Sequence, residues 1–132
     1  MLKIRQTQMD VLLQQLAEKD LVRRIIEFLR IEYPEDIKRH PEGQWRNRVV
    51  NGISRARSYG ITYESSIAAF VALMFQYAPN FDEYAPIHAI LTDGEIPPDT
   101  RVKLLGDCTI DKDWEIVEDR YDAAAWDVYF GD

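Results

Sequence analysis

The chain has 132 residues, of which 46% are hydrophobic and 30% charged, a balance typical of one folded globular domain. Its longest apolar run, Ile67 to Phe75, is too short to cross a bilayer, and its start "MLKIRQTQMD" lacks the apolar core of a secretory signal, so we expect a cytoplasmic protein without a membrane partner. The net charge of −7 divides into +4 for residues 1–60 and −11 for residues 61–132, and this acidic half excludes nucleic acid as the expected partner because it repels phosphate backbones.

The first predicted element is a helix from about Arg5 to Glu32, where strong helix formers run without glycine or proline. At 100° per residue its apolar side chains fall into two stripes on nearly opposite sides. The first stripe contains Leu21, Ile25, Phe28 and Leu29, and the second contains Met9, Leu12, Leu13 and Leu16. If the first stripe packs on the core of the domain, the second is exposed and forms a candidate partner-binding surface. The alternatives are a bend at Glu18 to Asp20 that folds the second stripe onto the same core, or later helices that cover it.

Two prolines and a glycine in "YPEDIKRHPEG" are predicted to end this helix. A second helix is expected from about Gln44 to Tyr59, followed by Gly60, a residue that tolerates the positive φ found at helix ends. A third helix is expected after Thr62, a good N-cap residue, and continues to about Tyr77. Its complete apolar stripe predicts the core of the domain and consists of Ile67, Phe70, Val71, Met74 and Phe75.

The second half of the chain predicts shorter helices, because proline and glycine interrupt its apolar segments. Two are expected near Pro86 to Leu91 and Pro98 to Leu105, and a last helix from about Lys112 to Tyr129. Aromatic residues lie beyond the apolar stripe of that last helix and form a second candidate partner-binding surface: Trp126, Tyr129 and Phe130. The prediction is an all-α, single-domain protein of five to six helices in an orthogonal or irregular bundle, with a helical core in residues 1–105 and an acidic loop and C-terminal helix in residues 106–132.

Residues that could carry chemistry do not form a convincing site. The stretch from Asp107 to Glu118 has the oxygen spacing of a calcium loop, but Lys112 stands where the turn needs glycine, so we interpret it as an acidic loop leading into a helix. His40 and His88 lack a second metal ligand at helical spacing and are expected in surface or capping roles. The lone Cys108 has no cationic neighbour that would make it a nucleophile, and it fits a reducing compartment. We therefore expect no catalytic, cofactor or metal site and no enzymatic activity; a small hydrolase or metal-dependent enzyme is the least favoured class.

Several segments, in this order and spacing, resemble a family of small helical bacterial proteins: "IRQTQM", "FLRIEYPE", "RARSYGITYE", "FVALMF" and "NFD" followed by "ILTDGEIPPDTRVKLL". The genes of that family commonly lie beside those for PAAR-type spike tips and toxic effectors of the type VI secretion system. The resemblance covers residues 1–105. It implies a non-enzymatic accessory, either a chaperone, a co-chaperone or an adaptor for effector loading. The implied partner is the secreted effector, the PAAR spike tip or a larger adaptor or chaperone. The alternative is an immunity protein that neutralises a cognate toxin, since such inhibitors are often acidic and face basic clefts.

Overall fold

The computed structural model describes the backbone of residues 6–127 and the side chains of residues 16–127. No strand occurs in this part of the chain, and the predicted all-α class is confirmed. The α-helices are α1 (Gln6–Glu32), α2 (Pro34–Lys38), α3 (Trp45–Ser58), α4 (Glu64–Gln76), α5 (Ala85–Leu91), α6 (Pro98–Cys108) and α7 (Asp111–Asp119). Short 3-10 turns lie at Glu42–Gln44, Phe81–Glu83 and Ala123–Asp127. None of the helices in the described part is long and apolar enough to span a membrane.

Helix α1 is continuous, so the bend considered for Glu18 to Asp20 does not form. The first predicted stripe, which we call the inner stripe, is buried at Leu21, Ile25 and Leu29. Its fourth residue, Phe28, packs at the edge of the core and is half-buried. This stripe packs against α3 and α4. One face of α1 is thereby fixed to the core along its C-terminal half.

Helix α4 lies at the centre of the molecule, where it packs against α1, α2, α3 and α6. All five residues of its predicted core stripe are buried, which confirms that stripe as core. Its closest neighbour is α3, because Gly52 presents no side chain: a Cβ added there would lie 2.9 Å from Val71 Cγ2 and 3.1 Å from Met74 Sδ. Gly60 follows α3 with a φ of 83°, as its sequence position predicted.

The start of α4 corrects the prediction of Thr62 as an N-cap. Helix α4 begins one residue later, with Tyr63 at the N-cap position and no side-chain cap, and the carboxylate of Asp99 in the first turn of α6 binds the backbone just before it. Asp99 Oδ1 accepts hydrogen bonds from the backbone N–H of Tyr63 at 2.7 Å and of Thr62 at 3.1 Å. Burial raises the pKa of Asp99, but these hydrogen bonds outweigh it and leave the pKa below its usual value.

The region between α1 and α3 was predicted as a break, yet it contains α2. Pro34 occupies the first turn of this short helix, a position where its missing N–H costs nothing. Ile37 of α2 is buried in the core.

The last predicted helix is wrong beyond Asp119. Asn80 Nδ2 donates to the carbonyl of Arg120 at 3.0 Å, and the N–H of Asp122 donates to Asn80 Oδ1 at 3.1 Å. These bonds occupy the backbone groups that a longer α7 would need, and the chain turns into the Ala123–Asp127 segment. The acidic loop expected after residue 105 is also wrong, because α6 continues to Cys108 and only Thr109 and Ile110 separate it from α7.

Candidate protein-binding surface

The second predicted stripe of α1 (Met9, Leu12, Leu13 and Leu16) is called the outer stripe from here on. Leu16 is its member whose side chain the structure describes, and it is 62% exposed. It lies one and a half turns before Leu21, which is only 6% exposed, on the same uninterrupted helix. The structure therefore places Leu16 away from the core, as the sequence predicted. Met9, Leu12 and Leu13 lie on the helical backbone but outside the residues whose side chains are described, so their part of the stripe stays a prediction.

Two neighbouring hollows lie along α1 and α3, and together they form what we call the α1–α3 groove. The first, of about 480 Å³, is lined by Leu16 and Ile26 among other residues. The second, of about 140 Å³, is lined by Val22, Val50 and Ile53 between the two helices. Both hollows include Lys19 of α1 and Arg46 of α3, so these two cations stand where the hollows meet.

Exposed ion pairs connect α1 to α3 and to α4. Arg57 Nη1 of α3 lies 2.9 Å from Glu18 Oε2. Arg24 pairs with Asp20 on its own helix and with Glu64 of α4, and its hydrogen bond lowers the pKa of Glu64. Such exposed pairs contribute little stability individually but help to fix the orientation of the helix.

The second candidate surface requires a correction, because Trp126 is buried. It is 6% exposed, and its ring centroid lies 5.3 Å from that of Phe75 and 5.5 Å from that of His40. Its Nε1 donates to the Tyr121 hydroxyl at 2.7 Å. The early end of α7 turns the chain back and inserts this side chain into the core. Tyr129 and Phe130 lie outside the described residues.

His40 is also buried, at 8% exposure, so the expected surface role is wrong. Its Nε2 lies 3.1 Å from the carbonyl of Phe75 and its Nδ1 lies 2.5 Å from Arg48 Nη1. A carbonyl only accepts and a guanidinium only donates, so the neutral ring with a proton on Nε2 satisfies both contacts. Burial lowers the pKa of His40, and the nearby charge of Arg48 lowers it further.

A buried polar cluster joins α3 to the 3-10 turn at Phe81–Glu83, and nothing in the sequence singled it out. Arg55 Nε donates to Asp82 Oδ1 at 2.7 Å, and the Tyr59 hydroxyl donates to Asp82 Oδ2 at 2.6 Å. Arg55 and Asp82 are each 2% exposed. Burial and the hydrogen bond to Asp82 raise the pKa of Tyr59, so the phenol stays protonated. Because the carboxylate is already shared by two donors, the cluster reads as a structural clamp.

Comparison of the chain with known protein families, curated proteins and solved structures finds no match. The resemblance to type VI secretion accessories therefore stays a prediction.

The predicted calcium-like stretch does not form a loop in the structure. The segment from Asp107 to Glu118 consists of the end of α6, a two-residue link and most of α7. Across the described residues, no group of three or more His, Cys, Asp or Glu side chains is arranged to hold a metal ion.

Proposed function

We propose that this protein is a non-enzymatic binding accessory, a chaperone, co-chaperone or adaptor that helps load a type VI secretion effector onto its spike. The observation that supports this most is the exposure of Leu16 on a continuous helix whose opposite stripe is buried in the core. The family resemblance of residues 1–105 supplies the type VI context.

The outer stripe has the properties of a helix that docks into an apolar groove of a partner. Its sequence spacing assigns Met9, Leu12 and Leu13 to the same stripe as Leu16. Burying each of these side chains contributes roughly 1.5 to 3 kcal/mol before the entropic cost of association. Four of them are enough to anchor an interface.

The test is pairwise co-purification with the effector, the spike-tip protein and any larger adaptor encoded beside the gene. We expect the wild-type chain to capture a non-toxic region of the effector or an adaptor. Leu12→Asp combined with Leu16→Asp should abolish capture while leaving the melting temperature nearly unchanged, because an exposed leucine contributes little to folding. Ile110→Asp is the matched control: Ile110 is as exposed as Leu16 but precedes α7, where aspartate is a favoured N-cap.

Two results would contradict the proposal. Capture that survives the double substitution would show that the stripe is not the interface. Unfolding of the double variant would show that the leucines belong to the core of this chain.

The alternative is an immunity protein, and the acidic C-terminal half favours it. Exposed carboxylates crowd α7 and the residues after it, namely Asp111, Glu115, Glu118, Asp119 and Asp122. A basic active-site cleft would be attracted to such a surface. Capture of the toxic domain itself, with loss of its activity, would favour this function over effector loading.

A further inference from the structure

The α1–α3 groove is lined by two cationic side chains that form no ion pair with any other described residue. Arg57 is paired with Glu18, and Arg23 with Asp20. Lys19 and Arg46 are exposed, and neither has an ion-pair or hydrogen-bond partner among residues 16–127. These two side chains stand on either side of an apolar floor.

From this arrangement we infer that the α1–α3 groove binds an amphipathic helical segment of a partner protein whose flanking residues are acidic. The inference rests on the proposed function and adds a second contact to it: the outer stripe docks into the partner, and the adjoining groove receives a segment of that partner. Apolar residues of the segment enter the two hollows, and its Asp or Glu side chains pair with Lys19 and Arg46.

The apolar part of the match follows from the floor of the groove. Ile26 and Val50 are only half-buried, and Leu16 is exposed at the open end. A cavity of about 150 Å³ accepts a benzene ring, so the hollow of about 140 Å³ admits one branched aliphatic side chain. The hollow of about 480 Å³ is wider, and Leu16 and Ile26 are its apolar lining among charged residues. A segment with apolar residues one helical turn apart would place neighbouring side chains in both hollows.

The charge of the match follows from what is already paired. Three carboxylates also line the hollows, Glu18, Asp20 and Glu27, and each is already in an ion pair within the chain. A basic segment would therefore have to compete for them and would bring like charge against Lys19 and Arg46, whereas an acidic segment can pair with both cations. Of these carboxylates Glu27 is held least closely, 3.9 Å from Arg30, and no ion pair joins it to Lys19 or Arg46. The groove therefore discriminates by the sign of the partner's charge.

The probes are three fluorescein-labelled helical peptides of about 18 residues, five turns, with one shared leucine stripe. Their flanking positions are all glutamate, all lysine or all glutamine, and binding to the full chain is measured by fluorescence anisotropy. We expect the glutamate peptide to bind at least about tenfold more tightly than the lysine peptide, with a preference that weakens as salt is added. Lys19→Glu combined with Arg46→Glu should reverse the preference.

The matched control is Lys103→Glu combined with Lys112→Glu, which makes the same change of net charge at exposed lysines of α6 and α7. It should keep the glutamate preference. Equal binding of the glutamate and lysine peptides, an equal reversal in the control, or no binding by any peptide would overturn the inference. Dimerisation of the free chain that Lys19→Glu with Arg46→Glu abolishes would also overturn it, because a second copy would then be the occupant.

Failure of this inference can be told apart from failure of the proposed function. If effector capture is lost on Leu12→Asp with Leu16→Asp but is unchanged by Lys19→Glu with Arg46→Glu, the accessory function holds and the groove inference fails. If the peptides bind as expected but no secretion component is captured, the groove inference holds and the accessory function fails.

Discussion

The fold favours the neutral form of the His40 side chain. Its neutral ring accepts from Arg48 and donates to the Phe75 carbonyl, and a second proton on Nδ1 would point at the Arg48 guanidinium. Burial and the positive charges of Arg48 and Arg39 lower the pKa of His40, and they outweigh the Phe75 hydrogen bond and Asp36, which raise it. The folded protein therefore holds the pKa of His40 below its usual value of 6.5.

This lowered pKa predicts acid sensitivity between neutral and mildly acidic pH. As the pH falls below about 6.5, the unfolded chain binds a proton that the folded chain resists, so the free energy of unfolding decreases. The contribution of His40 is complete above that value and is lost towards its lower folded pKa, with a slope of at most about 1.4 kcal/mol per pH unit. Urea unfolding at about pH 7.5 and about pH 5.5 measures the decline.

His40→Gln keeps an amide N–H for the Phe75 carbonyl but cannot titrate, so its stability should decline less over this range. An equal decline in wild type and His40→Gln would assign the acid sensitivity to other groups.

Single residues also show where sequence reasoning stops. Thr62 was predicted as an N-cap because its side chain suits that role, but in the structure its backbone N–H and its hydroxyl donate to Asp99, 37 positions later. His40 lies in a proline-flanked segment that reads as surface, and its burial depends on Phe75 and Trp126. In each case the deciding partner is distant in the sequence, so local propensity cannot identify it.

At the scale of elements, α3 and α4 owe their close approach to Gly52. An alanine Cβ there would meet Val71 and Met74, both fully buried, so Gly52→Ala overpacks the core. Overpacking of this kind costs about 1 to 3 kcal/mol, against a gain of roughly 1 kcal/mol in helix propensity. We expect a net loss of stability, measured as a lower melting temperature by circular dichroism.

Gly106 provides the opposite case within α6. A Cβ added there meets nothing within 4 Å, so Gly106→Ala should gain about 0.5 to 1 kcal/mol from helix propensity alone. A stabilised Gly52→Ala variant would mean that α3 and α4 are farther apart than the structure places them.

The helices with complete apolar stripes were predictable, and those ended by tertiary contacts were not. α4 and the inner stripe of α1 follow from their own 3.6-residue period. α7 is different, because Asn80 takes the backbone groups of Arg120 and Asp122 that would have continued it. α2 was missed because a proline reads as a stop until the structure shows it opening a short helix.

At the scale of the whole molecule, the candidate surface was half predictable. The opposition of two stripes on α1 follows from the sequence, and the exposure of Leu16 agrees with it. The α1–α3 groove does not follow, because only the packing of α3 on α1 brings Arg46 to the hollow of Leu16 and Val50 to that of Val22. The sequence shows that one half of the chain is basic and the other acidic. It does not show which cationic side chains form ion pairs, because that depends on how the helices pack.

The segment after α7 packs on the core through Trp126. Substitution of Trp126 can therefore show whether this segment unfolds together with the rest of the molecule. Its ring packs on Phe75 of α4 and beneath the Arg48 guanidinium of α3, whose Cζ lies 4.9 Å from the ring centroid. Trp126→Ala should therefore lower the free energy of unfolding by about 3 to 5 kcal/mol, whereas Ile110→Ala at an exposed site should change it little. Because the side chain joins the last described turn to the central helix, far-UV circular dichroism and tryptophan fluorescence should report one coincident transition in the wild type. A separate early transition removed by Trp126→Ala would show instead that the segment after α7 folds independently of the core.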